Sequence, residues 1–166
     1  MNVLIVYYSK TGRTAKVAEV LQKHLLSRGA AVETLRIHRK EEAGFIQCAT
    51  EARRRARPEL VDAPKDLTPY DLVFVGFPIW GGSVASPVNS MLALFEGAAG
   101  RRFAPFATCG FPKGYGGGIS QIRADIERLG GEVVATQGFS NRRWANLEED
   151  ARTFLLAAVA ACGQSV

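Results

Sequence analysis

Three short segments carry the residue types that a flat, phosphorylated ligand needs. Ser9-Lys10-Thr11-Gly12-Arg13-Thr14 gathers three hydroxyls, one glycine and two cations just ahead of a helical pattern. The free backbone N–H groups of a helix N-terminus, joined to such hydroxyls, suit a phosphate dianion. Gly76-Phe77-Pro78-Ile79-Trp80-Gly81-Gly82 holds a tryptophan between a proline and two glycines, where a flat ring could stack on it. Thr108-Cys109-Gly110-Phe111-Pro112-Lys113-Gly114-Tyr115 runs on into Gly116-Gly117-Gly118, a glycine-rich loop that lets backbone amides approach a ligand and presents Phe111 and Tyr115 as aromatic surfaces.

Each segment also has a plainer reading: a capped strand-to-helix turn, a tryptophan covering the core, and a flexible surface loop. The first is not a Walker-type loop, because its glycine spacing differs and no lysine precedes the final threonine. Nor is it a G-x-G-x-x-G turn, since only Gly12 is present. Cys48 and Arg54 match the C-x5-R spacing of a phosphatase loop, but the residues between them hold no glycine and include Glu51 where an anion would sit. His24 and His38 each stand apart from a second ligand or base in the sequence and read as surface or helix-face residues.

Positioning these segments takes an alternation of buried strands and amphipathic helices. Val3 to Tyr8 is nearly all apolar, as a strand covered on both faces should be. Val17, Val20, Leu21 and Leu25 follow at helical spacing, and Gly29 stands where a left-handed terminal residue is wanted. Further strands are expected at Ala31 to Ile37, Leu72 to Phe77, Phe103 to Thr108 and Glu132 to Thr136. Ser86-Pro87 opens a helix carrying Val88, Met91, Leu92 and Phe95. Ile119, Ile122, Ile126 and Leu129 mark another, and Asn146 caps the last, with Leu147, Ala151, Phe154, Leu155 and Ala158 inward. The stretch from His38 to Asp66 is too long for a bare loop, so a short helix is expected there, with Phe45, Ile46, Ala49 and Ala52 as its apolar face and the arginines outward. The fold class is therefore α/β: a doubly wound, five-stranded parallel sheet with helices on both faces, in a single domain over residues 1–166.

In such a sheet, ligands bind where the strand order reverses, beyond the carboxyl ends of the strands. The three segments follow strands one, three and four, and V-Y-Y-S-K-T-G-R-T-A-K-V-A, G-F-P-I-W-G-G and T-C-G-F resemble the three cofactor loops of the flavodoxin family. Flavodoxin is a standing example of the switch-point rule, and the resemblance implies strand order 2-1-3-4-5 with flavin mononucleotide (FMN) between strands one and three. Carried over, it implies that Ser9, Thr11, Gly12 and Thr14 bind the phosphate, with Lys10 and Arg13 contributing through backbone. Pro78, Ile79, Trp80 and Gly81 would meet one side of the isoalloxazine. Thr108, Cys109, Gly110, Phe111 and Tyr115 would meet the other side or the edge. The chain departs from the acidic carriers of that family by its formal charge of +5 and by Arg13 in the phosphate loop, and P-I-W-G-G is closer to flavodoxin-fold reductases.

The resulting expectation is an FMN-dependent oxidoreductase that takes electrons from NADH or NADPH and passes them to a quinone or similar small acceptor. Lys10, Arg13 and Lys113 fall in the three loops and no Asp or Glu does, which favours an anionic reduced flavin. A non-enzymatic electron carrier between protein partners needs only the same cofactor, and a module for another phosphorylated ligand needs only the first loop. Nucleic acid is not expected as a partner, because no aromatic residues interleave with Arg53, Arg54, Arg55 and Arg57. The three dispersed cysteines, the lack of a metal-ligand cluster and the lack of an apolar run of spanning length point to a cytoplasmic chain without metal or membrane span, with a homodimer left open.

Overall fold

The computed structural model describes residues 1–62, 66–110 and 114–163. The elements in chain order are β1 (Asn2–Tyr8), α1 (Arg13–Leu26), β2 (Ala31–Ile37), α2 (Phe45–Arg53), β3 (Leu72–Trp80), β4 (Ser83–Val84), α3 (Ser86–Ala93), β5 (Arg102–Cys109), α4 (Gly116–Arg128), β6 (Glu132–Val133), β7 (Gln137–Ser140), a 3-10 turn (Asn141–Asn146) and α5 (Leu147–Ala160). The main sheet runs β2-β1-β3-β5-β6, all parallel, with β7 continuing beside β5 and β4 folding back on β3. With β4 set aside as a two-residue return, this is the expected doubly wound order, and the reversal lies between β1 and β3.

Alternation along β1 divides the core into two layers. Val3, Ile5 and Tyr7 face α1 and α5, while Leu4, Val6 and Tyr8 face α3 and α4. On one side Phe74, Phe106, Phe139 and Phe154 meet edge to face, with centroids 5.5–6.4 Å apart.

The fifth strand is not continuous, and Pro105 explains the break. The Phe103 carbonyl accepts from the Val134 amide at 2.9 Å, so odd-numbered residues of β5 turn their polar groups toward the outer strand. Pro105 belongs to that set and has no N–H to give. Pairing stops at Phe103↔Val133 and resumes at Phe106↔Gln137, so of the expected Glu132-to-Thr136 strand only β6 forms, and β7 lies beyond its expected end.

Helix α2 forms where expected and buries Ala52 as expected, but turns Phe45 and Ile46 outward. Cys48 and Ala52, one helical turn apart, are buried, whereas Phe45 and Ile46 are 67 % and 86 % exposed. The reason lies beneath the helix, where Arg39 is buried rather than solvated. Its guanidinium grips both Glu51 oxygens at 2.6 and 3.1 Å, and Ser86 Oγ donates to the same carboxylate at 2.9 Å. Glu51 must therefore face inward, which rotates Phe45 and Ile46 out. Ser86 serves this cluster and not the start of α3, where no side chain caps the helix. The two histidines are not isolated: His24 Nε2 lies 3.0 Å from Glu148 and His38 Nδ1 lies 2.9 Å from Asp62.

Three helices end in the same doubled hydrogen-bond pattern with a left-handed residue. Gly29 closes α1 and Gly130 closes α4, as glycine usually does. In α2 the same position is held by Arg55, with φ of 52°; its amide donates to the Ala52 carbonyl and the next amide to Glu51.

Candidate functional site

Because β1, β3, β5 and β7 are parallel, the loops that follow them open on one edge of the sheet. Strand β1 delivers Ser9 buried and Lys10 half-buried, and the chain then emerges at Thr11, Gly12 and Arg13, all exposed. Gly12 takes φ of 87°, and a side chain placed on it would meet nothing. The first helical hydrogen bond of α1 runs from the Lys16 amide to the Gly12 carbonyl at 2.9 Å, and no side chain caps the helix. The preceding amides therefore have no partner of their own within α1. Arg36 on β2 holds the Ser9 carbonyl at 2.8 Å, fixing the loop from a strand that sequence reasoning had not connected with it.

Ser9 Oγ is buried and has no hydrogen-bond partner among the described residues. An unsatisfied buried hydroxyl costs about 1–3 kcal/mol, so a loop that keeps one beside open helix amides is suited to an incoming acceptor. A phosphate oxygen meets that need, and the residues present fit the FMN phosphate. Thr14 differs from its companions: it is buried, and its hydroxyl is engaged with Thr108 Oγ1 at 2.8 Å, which ties the first loop to the end of β5.

After β3 the chain turns back through Gly81 and Gly82, with φ of 55° and 82°. Two left-handed residues between Trp80 and Ser83 make a tight hairpin, which explains the paired glycines. The hairpin leaves Trp80 half-buried, edge-on to Tyr8 with centroids 5.6 Å apart. Burial pushes the Tyr8 phenol up to about 12, so it stays protonated beside the indole. Pro78 stands opposite Thr108 in the sheet, and its carbonyl accepts from the Ala85 amide at 3.1 Å. The Ile79 side chain lies against α4, where Gly118 makes room for it.

Thr108 and Cys109 are buried at the end of β5, and Gly110 is exposed beyond them. Tyr115 lies flat against Gly138 of β7 and covers that strand. Phe111 and Lys113, expected at this edge, lie outside the described residues.

Besides Arg36, sequence reasoning missed two contributors. The 3-10 turn after β7 lies beside Gly110, and it carries Trp144 over the guanidinium of Arg13, 5.6 Å from the ring centroid. Trp144 had no motif around it, but its place just past a parallel strand was a usable signal. From the other direction α2 spans the rim: Lys10 Nζ donates to the Ala43 carbonyl at 2.9 Å, approaches Glu42 at 3.4 Å and lies 5.7 Å from the Phe45 ring centre, while Arg53 at the far end lies against Gly81. Glu42 thus brings an acid to a rim whose own loops have none. The phosphatase-like pair forms no anion site: burial pushes the Cys48 thiol up, and it donates to the same Ala43 carbonyl that Lys10 holds, while Arg54 is exposed.

A search of curated protein sequences returned no match. Among solved structures, a Bacteroides eggerthii protein assigned as a flavoprotein superposes with a TM-score of 0.71 at 22 % identity, over 95 % of this chain and 98 % of that one. A Lactobacillus acidophilus flavoprotein in complex with FMN gives 0.64 at 20 % identity, over 90 % and 98 %. A Pseudomonas aeruginosa flavodoxin variant gives 0.65 at 19 % identity, over 99 % and 100 %. At these identities the likeness is one of fold. The flavodoxin family model matches residues 45–143, which takes in β3, the Trp80 hairpin, β5 and the start of the 3-10 turn, and by that match the chain belongs to the flavodoxin family.

Proposed function

We propose that the crevice binds FMN and that the chain is an oxidoreductase passing electrons from a reduced nicotinamide to a quinone or similar small acceptor. The observation that carries the cofactor is the buried, unpartnered Ser9 hydroxyl beside the open N-terminus of α1, at the β1–β3 switch point. In this reading Ser9, Thr11 and the amides after Gly12 hold the phosphate, while Lys10 and Arg13 raise the local positive potential. Thr14 holds the loop to Thr108. Trp80 covers one side of the ring, and the backbone of Cys109 and Gly110 meets the edge.

Bound FMN supplies the electron-accepting ring, for which no side chain of the crevice substitutes. What the protein contributes is position, exclusion of water by Trp80 and Tyr8, and a cationic loop that favours the negatively charged reduced form. Steady-state oxidation of NADH or NADPH by the FMN-loaded chain, with a quinone as acceptor, tests the activity. Turnover is expected; FMN binding without turnover would return the protein to its rival role. That rival, an electron carrier between proteins, draws support from Phe45 and Ile46, two exposed apolar side chains at the start of the helix that spans the rim.

A further inference from the structure

Past α2, on the face covered by α3 and α4, lies a groove of about 350 Å³ that the flavin reading leaves unused. Its floor is apolar, from Leu92, Ala93 and Leu129, and its walls are Arg55, Arg57, Arg128, Asn89 and Asp125. Three guanidinium groups face one carboxylate. Asp125 holds two of them apart, with Arg55 on one oxygen at 2.5 Å and Arg128 on the other at 2.7 Å, and both arginines remain more than half exposed. This single carboxylate orients the pair without neutralising it.

Arg55 reaches Asp125 from a strained position. It occupies the left-handed site that glycine fills at the ends of α1 and α4, and a side chain there is disfavoured. Glycine would close α2 with less strain and would leave the groove without its guanidinium. An observed outlier of this kind, set in the wall of a cavity, points to a use for the side chain.

We infer that this groove is the site of a phosphorylated adenosine, the 2′-phosphorylated end of NADPH, and so sets a preference for NADPH over NADH. The apolar floor suits the adenine ring, and paired guanidiniums suit the doubly charged phosphate monoester that NADH lacks. The volume lies at the small end of ligand pockets, fitting one end of a dinucleotide. Asp125 is seven residues along α4 from Gly118, which abuts Ile79, so the groove lies about 10 Å along the helix from the point where the strand that carries Trp80 meets it. The inference rests on the proposed nicotinamide donor, so its test does not depend on turnover.

The test is calorimetric titration of the 166-residue chain with adenosine 2′,5′-bisphosphate and with 5′-AMP. The bisphosphate should bind at least about tenfold more tightly, and Arg55→Gly and Arg128→Ala should each remove most of that preference. Arg55→Gly relaxes a strained residue, so the variant should fold, and FMN affinity should be unchanged in both. Equal affinity for the two nucleotides, or an unaltered preference in the variants, would overturn the assignment. If the bisphosphate preference holds while the FMN-loaded chain fails to oxidise NADPH, the groove stands and the reductase reading falls.

Discussion

The indole of Trp144 and the guanidinium of Arg13 form a cation–π pair, 5.6 Å from ring centroid to carbon, that joins the turn after β7 to the first residue of α1. Such a pair contributes about 0.5–2 kcal/mol depending on exposure. Trp144 therefore belongs to the crevice along with Trp80. FMN is expected to quench both indoles, so Trp80→Phe and Trp144→Phe should each keep part of the quenching. Trp144→Ala should also weaken FMN binding several-fold by releasing Arg13. Complete loss of quenching in Trp80→Phe would confine the flavin to the Trp80 side.

Ser9→Ala separates the ligand-free from the loaded protein. Without ligand the substitution removes an unsatisfied buried hydroxyl, so thermal stability should hold or rise by up to about 1 kcal/mol. With FMN the same change should weaken binding about tenfold or more, as expected for a hydrogen bond to a charged group. Riboflavin, which lacks the phosphate, should bind both forms alike. Thermal melts and flavin fluorescence titrations read the two effects, and a Ser9→Ala variant that binds FMN normally would remove Ser9 from the phosphate site.

The Arg39–Glu51 pair sets an acid limit. The Arg39 hydrogen bonds hold the Glu51 carboxyl down at about 2, from an ordinary 4.5. Because the folded value is the lower one, the stabilisation is complete above pH 4.5 and is lost as pH falls toward 2. Glu51→Gln should destabilise the fold by about 3 kcal/mol at neutral pH, leaving Arg39 buried without its counter-charge. Its urea midpoint should also change less than that of the unaltered chain between neutrality and pH 3. Equal acid sensitivity would place the titration elsewhere.

The Trp80 hairpin depends on two left-handed residues. Gly82→Ala has open space around the new methyl, so only the backbone conformation opposes it, by about 1–2 kcal/mol. Chemical denaturation should show that loss, together with weaker FMN quenching of Trp80 fluorescence as the indole loses its support. A variant as stable as the parent would mean that the turn has another conformation.

Strand and helix periodicity made the layered fold readable from sequence, a glycine among hydroxyls marked the first loop, and a tryptophan between a proline and two glycines marked the second. What escaped were relationships between distant segments. The inward face of α2 could not be read from its apolar residues, because Arg39, outside the helix, draws Glu51 inward and so exposes Phe45 and Ile46. Thr14 carried the expected residue type, but its hydroxyl partner lies 94 positions away on Thr108. Pro105 was visible throughout, and the split of the last strand could have been anticipated from it.

That proline also bears on how the folded chain behaves in crowded solution. On its outer margin the sheet presents only the two residues of β6 and the four of β7, with pairing interrupted between them. A neighbouring chain seeking to extend the sheet from this margin, rather than from the seven-residue β2 at the other, would find no long, flat ladder to dock on. On this view Pro105 guards this margin against edge-to-edge aggregation, at some loss of regularity in the last strand.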